Sequence, residues 1–141
     1  MREILFKAKR IDNGKWAEGC LVIDHSRSSL FEYRMRPVES GALYAPPINP
    51  ETICQFTGLC DKNGNKIWEN DIVLITENVY STVKFGLYHE AGKSERTHQG
   101  FYLESMDKYY YREELGYWAK ESVVVGNIFD NKELLQEGSD E

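Results

Sequence analysis

The chain is predicted to be mainly β, with short strands closed or nearly closed into a small barrel, extra hairpins and a short C-terminal helix. Three observations point there. Asn13-Gly14 and Asn63-Gly64 each lie between apolar-rich runs, and Asn-Gly accepts the positive φ that tight hairpin turns demand. In "LFEYRM" (30–35), Phe31, Tyr33 and Met35 alternate with Glu32 and Arg34, the period of a half-buried strand. "IVLI" (72–75) and "VVVGNIF" (123–129) are short and β-branched, which favours buried strands over helix. Strands this short leave open backbone edges, and closure removes them. The expected core is Trp68, Ile72, Leu74, Val124 and Ile128.

Each element has its own signal. Runs 3–11 and 16–24 flank Asp12-Asn13-Gly14-Lys15 as a hairpin, with Gly19 marking a bulge in the second strand. A polar turn, "HSRSS" (25–29), leads into "LFEYRM". Next, "RPVESGALYAPPINPE" (36–51) contains all four prolines and reads as a long ordered connection, because proline suits neither a helix interior nor a central strand. It is long enough to reach a neighbouring copy and stiff enough to lose little entropy on docking there. "TICQFTG" is a strand ending at Gly58, "DKNGN" repeats the Asn-Gly turn, "KIW" returns, and "END" turns again into "IVLI". Residues 79–88 form a strand pair broken at Gly86, "HEAGKSERTHQG" (89–100) is a polar loop, and "FYLE" is a strand. Segment 105–122, rich in Tyr, leaves an aromatic hairpin and a helical turn both open. At the end, Asn131 offers an N-cap, with Glu133 in the first turn and Leu134 and Leu135 as a docking face.

The 141 residues suffice for one domain or for two small β-subdomains, about 1–50 and 51–141. "NGKWAEGCLVI" (13–23) and "NGNKIWENDIVLI" (63–75) share turn, Lys, Trp, acid and apolar strand. Convergence of hairpins on such sequences explains this, and so would two units built on one plan; two copies fall short of a solenoid. Hydrophobic residues at 41% and charged residues at 28% are those of an ordinary soluble domain. No stretch is long and apolar enough to span a membrane, and "MREILFKAKR" lacks the core of a signal peptide. Cys20, Cys54 and Cys60, odd in number and irregular in spacing, imply no disulfide framework, so the cytoplasm is the expected compartment.

Catalytic patterns are sparse. The chain has no phosphate-cradling glycine loop and no G-x-S-x-G elbow. Cys54, Cys60, His89 and His98 lack the paired spacing of structural zinc, and no third group orients a Cys–His dyad. Glu69 and Asp71 flank a turn, and Glu113 and Glu114 are sequence neighbours, so neither pair is set across a pocket for acid–base work. The expectation is therefore no enzyme, cofactor, metal or catalytic residue, with a hydrolase-type activity as the minor alternative.

Charge is unevenly placed. Residues 1–38 hold eight Lys/Arg against five Asp/Glu, while 39–141 hold nine against 18. A basic edge of this kind meets nucleic acid or the acidic part of another copy. The candidate nucleic-acid contacts are Lys7, Lys9, Arg10, Lys15, Trp16, Arg34 and Arg36, with Tyr33 and Tyr44 near them in sequence. A pI near 5.2 argues against generic polyanion binding by the whole molecule.

Two blocks carry a resemblance. "QFTGLCDKNGNKIWENDIV" (55–73) fits Q-[FY]-T-G-L-x-D-x-N-G-x-x-[IV]-[YFW]-E-x-D-[IV], and "GNIFDNKELL" (126–135) fits G-N-I-[YF]-[DE]-N-x-[ED]-L-L. The chain thus resembles the YopX family of small bacteriophage and prophage proteins. It departs at Cys60, where a polar residue is commoner, and at Asn70, where Gly is usual; Asn is the best substitute at positive φ. The resemblance implies a small SH3-like barrel, a bacterial host cell and an oligomer-prone chain, and it brings no catalytic residues. The expected function is a non-enzymatic phage accessory protein acting as a homo-oligomeric binding module for itself and an unidentified host or phage protein, with nucleic-acid binding as the alternative.

Overall fold

A computed structural model describes residues 3–25, 32–38, 44–75, 79–90, 93–105 and 113–136. The chain is mainly β and divides into two compact units, Met1–Phe56 and Thr57–Glu141. Its strands are β1 (Phe6–Lys9), β2 (Trp16–Ile23), β3 (Tyr33–Pro37), β4 (Cys54–Cys60), β5 (Lys66–Trp68), β6 (Asp71–Ile75), β7 (Val79–Glu90), β8 (Lys93–Ser105) and β9 (Val123–Asn127). They form two antiparallel sheets, ordered β3-β2-β1-β4-β5 and β8-β7-β6-β9. Short helices α1 (Leu115–Trp118) and α2 (Glu133–Gln136) and two 3-10 turns, Pro50–Thr52 and Ala119–Glu121, complete the described elements, and none of the described helices is long and apolar enough to cross a membrane.

In the first unit the Asn13-Gly14 turn joins β1 to β2 as expected, with Gly14 at φ +70° and its N–H donating to Arg10 O. No bulge forms at Gly19, and the β2–β3 ladder runs through it in register. A Cβ there would fall inside the Arg36 carbonyl oxygen, so the missing side chain lets β3 approach rather than breaking the strand. Ala8, Ala17, Met35 and Ile48 make the buried core, with Phe6, Leu21, Tyr33 and Ile53 packed against it.

The expected closed barrel is not found among the described residues, and the proline-rich connection shows why. It lies along the edge of β3 and reaches the end of β1. Met35 N donates to Pro46 O, Ile48 N to Tyr33 O, Ile11 N to Pro47 O and Asn49 N to Lys9 O. Pro46 and Pro47 have no N–H to return, so the contact stays at isolated bridges and never becomes a closing strand. The described part of this connection is thus docked on its own sheet.

In the second unit Val73, Ile75, Val83, Leu103, Leu115, Ala119 and Ile67 form the core, with Phe101, Trp118 and Val124 against it. Of the expected core, Trp68 and Ile72 are buried, whereas Leu74 and Ile128 are only half-buried. The alternation of β6 gives the core cluster Val73 and Ile75 instead. Residues 79–90 form one strand through Gly86, and 93–100, expected as loop, are the return strand of a long hairpin. Beyond Val83, among the described residues, β7 pairs with β8 alone, so the outer part of this ribbon needs no apolar pattern. Gly86 and Gly100 face each other in it, and the rings of Tyr102 and Tyr88 lie over them. Within 105–122, Leu115–Trp118 is the helical turn; 106–112 lie outside the described residues.

The second Asn-Gly turn is organised by Asp61, which is 5% exposed. Its Oδ1 accepts from the N–H groups of Asn63 and Asn65, and its Oδ2 from Val124 N, each at 2.9 Å. One carboxylate thus shapes the β4–β5 turn and ties it to β9. The neighbouring turn is closed by Asp71 Oδ2, which accepts from Trp68 N at 2.8 Å, and its Asn70 adopts φ +71°. Near the C-terminus α2 forms as expected, but Asn131 Oδ1 accepts from Asn127 N rather than capping it. The two Asn-Gly hairpins lead into different surroundings, since β2 stays beside β1 while β6 leaves for the other sheet.

Two consequences are measurable. Asn70→Gly should be neutral or stabilising, and Asn70→Ala should cost about 1 kcal/mol, because a Cβ without a locally bonding amide is strained at positive φ; chemical denaturation of both variants reads the difference. Burial pushes the Asp61 carboxyl up, but the N–H groups of Val124, Asn65 and Asn63 outweigh it and hold it below the ordinary range. A depressed folded value means stability present at neutral pH and lost as pH falls below about 4. Asp61→Asn should lower Tm at pH 7, and its Tm should fall less steeply than the wild type's on acidification.

Candidate functional site

Alternation along three strands decides which charged residues share a face. Ala8, Ala17 and Met35 point into the first core, so their neighbours in sequence point the other way. The register pairs Lys9 with Trp16, Lys7 with Glu18, Cys20 with Arg36 and Val22 with Arg34. Directly opposed residues lie on the same side of a sheet, and no register shift interrupts either ladder. Lys7, Lys9, Trp16, Arg34 and Arg36 therefore share the outer face. Of the seven residues singled out in the sequence, five lie on this face, with Lys7, Lys9 and Trp16 toward one end of β2 and Arg34 and Arg36 toward the other.

Arg10 and Lys15 do not. They stand one step further along the ladder, where Arg10 N donates to Lys15 O, so alternation turns them away. Arg10 is also engaged, its Nε and Nη2 donating to the two oxygens of Asp12 at 2.9 and 2.6 Å. That bond holds the Asp12 carboxyl below its ordinary value. Tyr33 packs against the core, and Tyr44 is exposed on the proline-rich connection.

The face has internal order. The Lys7 ammonium lies 4.6 Å and the Lys9 ammonium 5.5 Å from the centre of the Trp16 ring, a double cation–π contact. Arg34 Nη1 donates to Ala45 O at 3.0 Å, which anchors that guanidinium beside the proline-rich connection. Glu18 interrupts the positive charge opposite Lys7. Glu32, 2.6 Å from His25 Nδ1, bounds the far end, where Asp24 N donates to Glu32 O. The positive charge thus falls into two groups, two lysines gathered on one indole and two arginines further along the face.

Other sequence candidates are placed apart. Cys54 is buried, its thiol donating to Thr52 O at 3.3 Å, while Cys60 is exposed. His89 and His98 sit exposed on the β7–β8 ribbon, with His98 against Tyr88. No group of three or more His, Cys, Asp or Glu among the described residues is arranged to hold a metal. Asp71 serves its turn, and Glu113 Oε1 accepts from His89 N. Sequence reading missed the ring row Tyr102–Tyr88–His98, with centroids 5.9 and 5.6 Å apart. Its only trace was the spacing of the aromatics around Gly86 and Gly100, hidden within a polar stretch.

Comparison with known proteins agrees with the motif blocks. The sequence model described as YopX protein matches residues 5–136, nearly the whole chain. No curated protein matches significantly. The match takes in both units and every strand of the two sheets, and on that ground the chain belongs to the YopX family.

Proposed function

We propose that this chain is a non-enzymatic binding module, of the kind phages and prophages encode, that holds nucleic acid on the outer face of its first sheet. The observation that carries the reading is the placement of Lys7, Lys9, Trp16, Arg34 and Arg36 along that one face. Basic side chains neutralise phosphates, and an aromatic ring beside them suits bases. The net charge of −6 opposes long-range attraction. At 0.1 M salt, however, exposed charges beyond about 10 Å are largely screened, so the local set decides contact.

Anisotropy titrations with labelled DNA at about 50 and 200 mM salt test this, since phosphate-driven binding weakens steeply over that range. The wild type should bind at low salt and lose affinity at high salt. Lys7→Ala/Lys9→Ala should bind more weakly, with a salt slope shallower by about two contacts. Absence of binding at low salt, or an affinity indifferent to salt, overturns the reading.

Self-association is a second reading, and the distribution of charge favours it. Residues 1–56 hold eight Lys/Arg against seven Asp/Glu, and residues 57–141 hold nine against 16. The basic face of one copy would meet acidic surface of the next, with closed symmetry to prevent polymerisation. Size-exclusion chromatography with light scattering should then show an assembly at micromolar concentration that dissociates as salt rises; a persistent monomer of 16.4 kDa removes this reading.

A further inference from the structure

Resting on the nucleic-acid reading above, we infer that the ligand of this face is a single-stranded polynucleotide, one base of which stacks on Trp16 while Lys7 and Lys9 leave the ring for the flanking phosphates. The lysines occupy the indole in the free protein, at 4.6 and 5.5 Å from its centre. A base has to displace them, so two cation–π contacts at a half-buried ring are given up. Base–aromatic stacking is of the same order and replaces them on the ring. The displaced ammonium groups are not left without partners, because a phosphate accepts a charge-assisted hydrogen bond from each.

The side chains suit such a movement. Lysine carries a compact charge on a flexible four-carbon stem, so the ammonium can swing while β1 stays fixed. Lys7 and Lys9 are two residues apart on one strand and so rise from the sheet about 7 Å apart. Two phosphates on either side of a stacked nucleotide can each take one. Trp16 opens β2, directly opposite Lys9 and diagonal to Lys7, and is half-buried: its position is held by the ladder while part of the side chain reaches solvent.

A duplex cannot use this arrangement. Its bases are stacked on both faces and show only their edges in the grooves, which an indole with a single N–H reads poorly. Stacking on a side chain requires an unstacked base, and every base has a π-face, so the expected preference is for strandedness and not for sequence. Arg34 and Arg36, across the sheet on β3, extend the phosphate track.

The test compares three probes of equal length: oligo-dT, an abasic deoxyribose-phosphate oligomer and a duplex. Oligo-dT should bind the wild type at least about fivefold more tightly than the abasic strand, the ratio that one stacked base confers. Trp16→Leu should bring that ratio to one and retain binding to the abasic strand; Trp16→Phe should keep most of it. Oligo-dT should also quench tryptophan emission in the wild type but not in Trp16→Phe, a readout that holds even if Trp16→Leu fails to fold. A ratio unchanged by Trp16→Leu, or a duplex bound as tightly as oligo-dT, overturns the inference while leaving nucleic-acid binding standing. If none of the probes binds at low salt, both fall.

Discussion

The first unit depends on a register that runs unbroken across β1, β2 and β3. A strand has a period of two, so a slip of one residue in β2 would carry Ala17 and Leu21 out of the core and bury Trp16 and Glu18 in their place. Two features hold the register. Gly19 lets the Arg36 carbonyl approach more closely than any side chain would allow. The proline-rich connection then fastens the β3 edge to the end of β1 through Met35, Ile48, Ile11 and Asn49. The chemistry of the outer face is in this sense a by-product of packing the inner one. Ala8 and Met35 must point inward, so the lysines and arginines beside them must not.

The second unit meets the same demand for satisfied backbone in another way. Its β4–β5 turn gathers two N–H groups on one carboxylate oxygen, and the other oxygen reaches Val124 across the fold. A buried charge is costly unless its lone pairs are used, and Asp61 uses both oxygens, on the N–H groups of Asn63, Asn65 and Val124. Here a local turn and a long-range contact share one residue.

Legibility tracked locality. The two Asn-Gly turns, the "IVLI" strand and the positive φ at Asn70 depend on neighbours in sequence, and each was readable there. The β8 strand was not, because a ribbon paired on one side only has little apolar surface to declare itself, and "SERTHQG" looks like loop. Barrel closure failed as an inference because it treated the proline-rich connection as outside the sheet, when its carbonyls in fact serve the edge of β3. For the face, composition named seven residues and register kept five; alternation removed Arg10 and Lys15 on grounds visible only once the pairing of β1 with β2 was known. Asp61 was readable as a turn residue, but its bond to Val124, 63 positions away, left no mark in the sequence.

The ribbon formed by β7 and β8 has a consequence for how the molecule opens. From Phe85 outward, among the described residues, each strand of the ribbon has only the other as a ladder partner, and Phe85 and Leu87 are 50% and 69% exposed. Among the contacts that steady it are the edge-on rings of Phe85 and Phe101, the row of rings over the facing glycines and the Glu113 carboxylate on the His89 amide. Such a segment can fray without disturbing Val73, Ile75 or Val83. Its amides should therefore exchange with solvent through local openings of low free energy, while those of β6 wait for the whole unit to unfold. The second sheet thus has a gradient of persistence along its own strands, firm where four run side by side and yielding where two remain.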